Sequence, residues 1–70
     1  MSNGNNFYFN GQEYCTNQPI NLIDLLNYFN YQPSLFVIEY NNFICNKNEW
    51  NKIKVKKNDR IELITIVGGG

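Results

Sequence analysis

Residues 7–29 read FYFNGQEYCTNQPINLIDLLNYF, a tight hairpin signal followed at once by a capped helix signal. Phe7 and Phe9 alternate with Tyr8, the period of a strand with one buried face. Asn10-Gly11 then supplies the strongest two-residue hairpin signal, because both residues tolerate positive φ. After TNQP, Asn21 is positioned as an N-cap, and Asp24 falls at N3, where a carboxylate suits the helix N-terminus. Leu22, Leu25, Leu26 and Phe29 follow at i, i+3, i+4 and i+7, one apolar stripe that predicts a short helix packed on a core. Pro33 is expected to end that segment.

The residues beyond the helix read as strands again. LFVIEYNNFIC (35–45) predicts a second strand pair closed by a turn at Asn41-Asn42, since Asn is the non-glycine residue best suited to the left-handed region. With Glu39 facing water, Phe36, Ile38 and Tyr40 turn to the core side. NKNEW (46–50) predicts a short helical turn carrying Trp50, the one tryptophan, as a packing anchor. KKND (56–59) predicts a last turn into a final strand over Arg60–Val67. With Glu62 outward, Ile61, Leu63 and Thr65 point inward, and Ile64 and Ile66 stand on the exposed face. The order is ββαββ, a short insertion and a closing strand: an α+β fold with one helix over a mixed sheet.

Composition bounds the rest. Seventy residues predict a single domain over 1–70, with residues 1–5 frayed and 68–70 a flexible tail. No apolar stretch approaches the roughly 20 residues that span a bilayer, and the start has no basic-then-apolar leader pattern. Net charge is zero, so nothing global draws the chain to nucleic acid or a membrane. The charges are divided, however. Residues 1–46 hold Glu13, Asp24 and Glu39 and no Lys or Arg, whereas all six basic residues lie at 47–60. That stretch is either a solvated loop or a weakly basic rim that orients a partner. Histidine is absent, and Cys15 and Cys45 have no CxxC spacing, which argues against a metal site and removes the usual general base. The two thiols are expected to be free and mostly buried in a reducing compartment, with a disulfide or a sulfur-relay role as alternatives. An enzyme is not expected. Asn occurs 14 times and Ala not at all, a bias toward A/T-rich codons that suggests a plastid or low-GC genome, hence plastid stroma or cytoplasm.

Three of the five glycines are Gly68, Gly69 and Gly70, directly after the apolar run Thr65-Ile66-Val67. They read either as a plain end or as a tail that enters a partner's narrow channel, since glycine has no Cβ and adopts backbone angles closed to other residues.

In that order and spacing, Asn10-Gly11, Asn21-Leu22 with Leu25-Leu26, Asn41, NEW at 48–50, KKNDRIELITIV at 56–67 and Gly69-Gly70 resemble the sulfur carrier family of thiamine biosynthesis. The likeness covers about residues 6–70. It implies a ubiquitin-like β-grasp fold, with four to five strands on one main helix. It further implies that an ATP-dependent, E1-like adenylyltransferase activates the carboxylate of Gly70, and that a cysteine desulfurase or sulfurtransferase supplies sulfur to form a thiocarboxylate. Thiazole synthase would then take that sulfur. Gly68 and Gly69 would give reach, and Ile64, Ile66 and Arg60 would dock the body, a monomer when free. ATP would be used by the activating enzyme, with no cofactor bound to the carrier. The alternatives are the small subunit of molybdopterin synthase, a ubiquitin-like modifier conjugated to lysines, or a β-grasp binding module without carrier chemistry. The molybdopterin family carries prolines near the end of its last strand, and here the only prolines are Pro19 and Pro33.

Overall fold

The computed structural model describes residues 4–66. Five strands form one mixed sheet in the order β2-β1-β5-β3-β4. In chain order they are β1 (Asn5–Phe9), β2 (Gln12–Thr16), β3 (Phe36–Tyr40), β4 (Phe43–Cys45) and β5 (Arg60–Thr65), and the one α-helix among the described residues, α1 (Leu22–Tyr28), lies between β2 and β3. β5 lies in the centre, parallel to β1 and antiparallel to β3. One turn of 3₁₀ helix (Pro33–Leu35) precedes β3, and another (Lys47–Glu49) follows β4. β1 begins at Asn5, paired with Thr16, inside the stretch that composition marks as frayed.

Both two-residue hairpins form at the positions their Asn and Gly residues demand. Asn10 and Gly11 take φ of 52° and 80°, and Asn41 and Asn42 take 50° and 74°. Asn30 and Asn58 also have positive φ, so every described non-glycine residue in that region is Asn. With Gly4 and Gly11 the only glycines among the described residues, the codon-biased residue does glycine's backbone work.

The helix is closed at both ends by side-chain and backbone bonds. Asn21 Oδ1 accepts from the Asp24 amide at 2.7 Å, and the Asp24 carboxylate accepts from the Asn21 amide at 3.0 Å, a reciprocal capping box. At the other end, Asn30 N–H donates to Asn27 O and Tyr31 N–H to Leu26 O. With Asn30 left-handed, this is a Schellman closure. The helix therefore stops at Asn30 rather than at Pro33, which instead opens the 3₁₀ turn. Asn21 also ties the helix to a distant loop, since its Nδ2 donates to Asn51 O at 3.2 Å. Replacing Asn21 with Ala is expected to cost about 1 kcal/mol, read as a lower midpoint in urea with an unchanged slope.

The core is Phe7, Phe9, Leu22, Leu25, Leu26, Ile38, Trp50, Val55 and Ile61, all buried. The helical stripe and inner strand faces meet there as periodicity predicts, with Phe29 half-buried and stacked on Phe9 at a centroid distance of 5.0 Å. Trp50 is 1% exposed and its indole N–H donates to Cys45 O at 3.1 Å, so the loop anchor is a full core residue. Thr65 departs from expectation. It shares the inner face with its partner Phe36 but is exposed. A seven-residue helix is about 10 Å long and a six-residue strand about 20 Å, so the end of β5 runs past its cover.

Candidate functional site

The central strand β5 is pinned at its start by asparagine and aspartate side chains. Arg60 N–H donates to Asn41 Oδ1 at 2.8 Å, while Asn41 N–H returns a bond to Arg60 O at 2.8 Å. Further along, Leu63 N–H donates to Asn10 Oδ1 at 2.9 Å. The hairpin asparagines thus do two jobs, turning the chain and clamping β5 from both sides. Just before the strand, buried Asp59 accepts three bonds: from Tyr40 Oη at 2.6 Å, Lys56 N–H at 2.7 Å and Asn41 Nδ2 at 3.1 Å. Burial, then the hydrogen bond and charge of Asp59, with a smaller contribution from Cys45, push the Tyr40 phenol well above its ordinary value. Past the strand, Ile66 N–H donates to Leu35 O at 2.9 Å. The chain is held in place up to the last residue described. Gly68, Gly69 and Gly70 lie outside the described residues.

Two apolar side chains, Ile64 and Ile66, stand exposed, as strand parity predicts. Ile64 is 42% and Ile66 45% exposed. Ile64 faces Val37 across the strand pair. Ile44, 61% exposed, lies opposite Glu39, which in turn faces Glu62. The apolar patch is therefore Val37, Ile44 and Ile64, with Ile66 following on the same side, and two carboxylates beside it. Ile44 is the member that strand periodicity alone does not assign. The Asn41-Asn42 turn pairs Tyr40 with Phe43 and so Glu39 with Ile44, a register that the sequence already contains. Arg60 shares this face but starts the strand, four residues or about 13 Å from Ile64. Its guanidinium sits 5.5 Å from the Tyr8 ring centroid, a cation–π contact apart from the apolar patch.

The cysteines occupy the two outermost strands, Cys15 on β2 and Cys45 on β4. Four strand spacings, about 19 Å, separate them, far beyond the reach of a disulfide. Both are free. Burial and Glu49 push the Cys45 thiol up, the opposite of what activates a nucleophilic cysteine. Among the described residues no group of three His, Cys, Asp or Glu side chains converges on a possible metal position, and no helix is long and apolar enough to cross a membrane. What the arrangement offers chemically is presentation: a rigid central strand, an apolar face beside it, and a glycine run following.

Comparison with known proteins bears directly on this geometry. The sequence model of the ThiS family matches residues 4–70. The chain belongs to the ThiS family. It is thus placed with small sulfur carriers rather than catalysts. The crystal structure of thiamine biosynthesis protein ThiS from Geobacter metallireducens superposes on this ThiS-family chain with a TM-score of 0.80 at 24% identity, over 93% of this chain and 99% of the other. That likeness is one of fold: the mixed sheet with one helix is the β-grasp arrangement. An uncharacterized protein ycf40 from Trieres chinensis is 60% identical over 70 residues, covering all of this chain and 96% of its own length. Proteins of the same name from Porphyra purpurea and Pyropia yezoensis are each 33% identical over 61 residues, 87% of this chain and 86% of theirs.

Proposed function

We propose that this protein carries sulfur as a thiocarboxylate on Gly70 for formation of the thiazole ring of thiamine. The observation that carries the reading is the ThiS-family match, which runs from residue 4 through Gly69-Gly70. A terminal carboxyl ionises near pH 3.5, so at neutral pH it is an anionic nucleophile. Held in an E1-like adenylyltransferase, the Gly70 carboxylate attacks the α-phosphate of ATP and expels pyrophosphate. The terminal sulfur of a persulfide, formed from cysteine on a desulfurase or sulfurtransferase, then displaces AMP to give an acyl disulfide. A further thiol, such as cysteine, attacks the enzyme's sulfur, forming a disulfide with it and releasing the thiocarboxylate that thiazole synthase consumes. Gly68 and Gly69 let the tail thread a narrow channel, because no Cβ obstructs it. Ile64 and Ile66, beside Val37 and Ile44, seat the body on the activating enzyme, and Arg60 adds a charged contact at the far end of β5. The chain contributes no catalytic group. The ycf40 relatives and the A/T-rich residue usage favour the plastid stroma as its workplace.

Two outcomes test this. First, thiocarboxylated protein mixed with thiazole synthase and its small-molecule substrates yields thiazole, and its intact mass returns to that of the carboxylate. Sulfur passing only to the large subunit of molybdopterin synthase would overturn the thiamine assignment while keeping the carrier chemistry. Second, Ile64→Asp places a charge in the docking patch. Binding to the activating enzyme is expected to weaken by tenfold or more, roughly the cost of desolvating an unpaired charge at an interface core, with unchanged circular dichroism. Unchanged affinity would remove Ile64 from the interface.

A further inference from the structure

The β3–β5 ladder is cut off at Ile66 by the turn that precedes β3. Its register pairs Phe36 with Thr65 and Val37 with Ile64. Carried on, the same register sets Leu35 against Ile66, Ser34 against Val67 and Pro33 against Gly68. Hydrogen bonds fall on alternate rungs of an antiparallel pair. Asn41 N–H donates to Arg60 O at 2.8 Å and Ile66 N–H to Leu35 O at 2.9 Å. The bonding rungs are therefore Asn41 with Arg60, Glu39 with Glu62, Val37 with Ile64 and Leu35 with Ile66. The next bonding rung would join Pro33 to Gly68.

The 3₁₀ turn Pro33–Leu35 takes up the groups on the β3 side that these last rungs need. Leu35 N–H, which would return a bond to Ile66 O, donates instead to Gln32 O at 3.0 Å. Pro33 has no N–H to give, and its carbonyl already accepts from Phe36 N–H. The rung at Ile66 is thus half-made, and the rung beyond it has neither donor nor acceptor free on the β3 side. At the opposite end of the ladder a side chain completes the half-made rung, Asn41 Oδ1 accepting from Arg60 N–H at 2.8 Å. The core positions the turn on both sides. Tyr31, before it, donates its N–H to Leu26 O and sets its ring 5.9 Å from Phe9. Phe36, after it, meets the Tyr31 ring edge-on at 5.3 Å.

Resting on the reading of Gly70 as the sulfur-bearing residue, we infer that Pro33 is a positioning residue of the carrier. Its turn stops the ladder at Ile66 and so fixes the length of chain, residues 67–70, that a partner takes up. Four residues span at most about 14 Å. A rung at position 68 would tie down half of them and leave about 7 Å, too short a reach for a carboxylate that must come within about 3.5 Å of its reaction partner.

Amide hydrogen exchange on the ¹⁵N-labelled full chain reads the stop directly. The Ile64 and Ile66 amides should exchange slowly, and the Gly68 and Gly69 amides at the rate of an unstructured peptide. The double variant Pro33→Val, Ser34→Val restores the missing donor and favours strand, so its Gly68 amide should become protected. With ATP, the E1-like adenylyltransferase, a cysteine desulfurase and cysteine, this variant should show a KM for the carrier raised about threefold or more at unchanged kcat, because only the fraction with a released tail binds. Ser34→Ala, which keeps Pro33, should match the parent in both readouts. A merely structural role for Pro33 predicts faster exchange across β3 and β5 with no protection at Gly68. If the double variant does not fold, Pro33→Val alone makes the same test. A protected Gly68 amide in the parent, an unprotected one in the variant, or a protected one with unchanged KM would overturn the inference. A parent chain that takes up no sulfur would sink the carrier reading instead, and the exchange pattern would still decide whether Pro33 stops the ladder.

Discussion

Asp59→Ala will destabilise the domain by about 3 kcal/mol or more, the largest loss expected from removing one polar side chain. The carboxylate accepts from Tyr40 Oη, Lys56 N–H and Asn41 Nδ2 in a buried setting. A hydrogen bond to a charged acceptor contributes about 1.5–3 kcal/mol, and the orphaned donors add their own desolvation cost. A chain of this length has a total stability of roughly 4–10 kcal/mol, so the variant will be partly unfolded near its working temperature. Urea unfolding followed by Trp50 fluorescence reads the loss; a variant as stable as the parent would contradict it. The same cluster predicts a pH response. In the folded chain, the Tyr40 phenol is held protonated above its ordinary value of about 10. Its contribution is fully present below that value and declines as pH rises through it, because the unfolded chain then loses the proton first. Tyr40→Phe should flatten that part of the stability profile above pH 10.

Deleting Gly69-Gly70 has an effect of a different kind: complete loss of sulfur loading with folding unchanged. The buried core ends at Ile61 and the last backbone tie among the described residues is Ile66 to Leu35, so the deletion leaves the core and its ties in place. It does move the carboxylate two residues back toward the body, about 7 Å short of where the full tail places it. Adenylation needs reacting atoms within about 3.5 Å, so no partial activity should remain. Equal unfolding midpoints for the two chains, with loading only in the longer, separate this from a folding defect.

The features legible in the sequence are those set by neighbours along the chain. Asn10-Gly11 and Asn41-Asn42 form hairpins because two adjacent residues tolerate positive φ, and Asn21 with Asp24 caps a helix because they stand three positions apart. Leu22, Leu25 and Leu26 reach the core because the period of 3.6 admits no other face. The features that escaped depend on partners far away in sequence. Asp59 looks like one more charge in a basic turn until Tyr40 arrives from β3 and Asn41 from the turn that follows it. Asn30 stops the helix before Pro33 because a left-handed residue satisfies the last carbonyls locally, whereas proline only forbids continuation. Thr65 keeps the inward parity of its strand yet lies in solvent, because how far a helix covers a sheet is not written in either one. Of the apolar side chains on the exposed sheet face, periodicity identified Ile64 and Ile66. The register through Glu39 adds Ile44, and strand length separates Arg60 from them.

The most direct test of the carrier account is the intact mass of the chain after incubation with ATP, an E1-like adenylyltransferase, a cysteine desulfurase and cysteine. The account predicts a gain equal to replacing one oxygen by sulfur, on Gly70, and no gain in the chain lacking Gly69-Gly70. An unchanged mass with partners that load another sulfur carrier in the same mixture would contradict it.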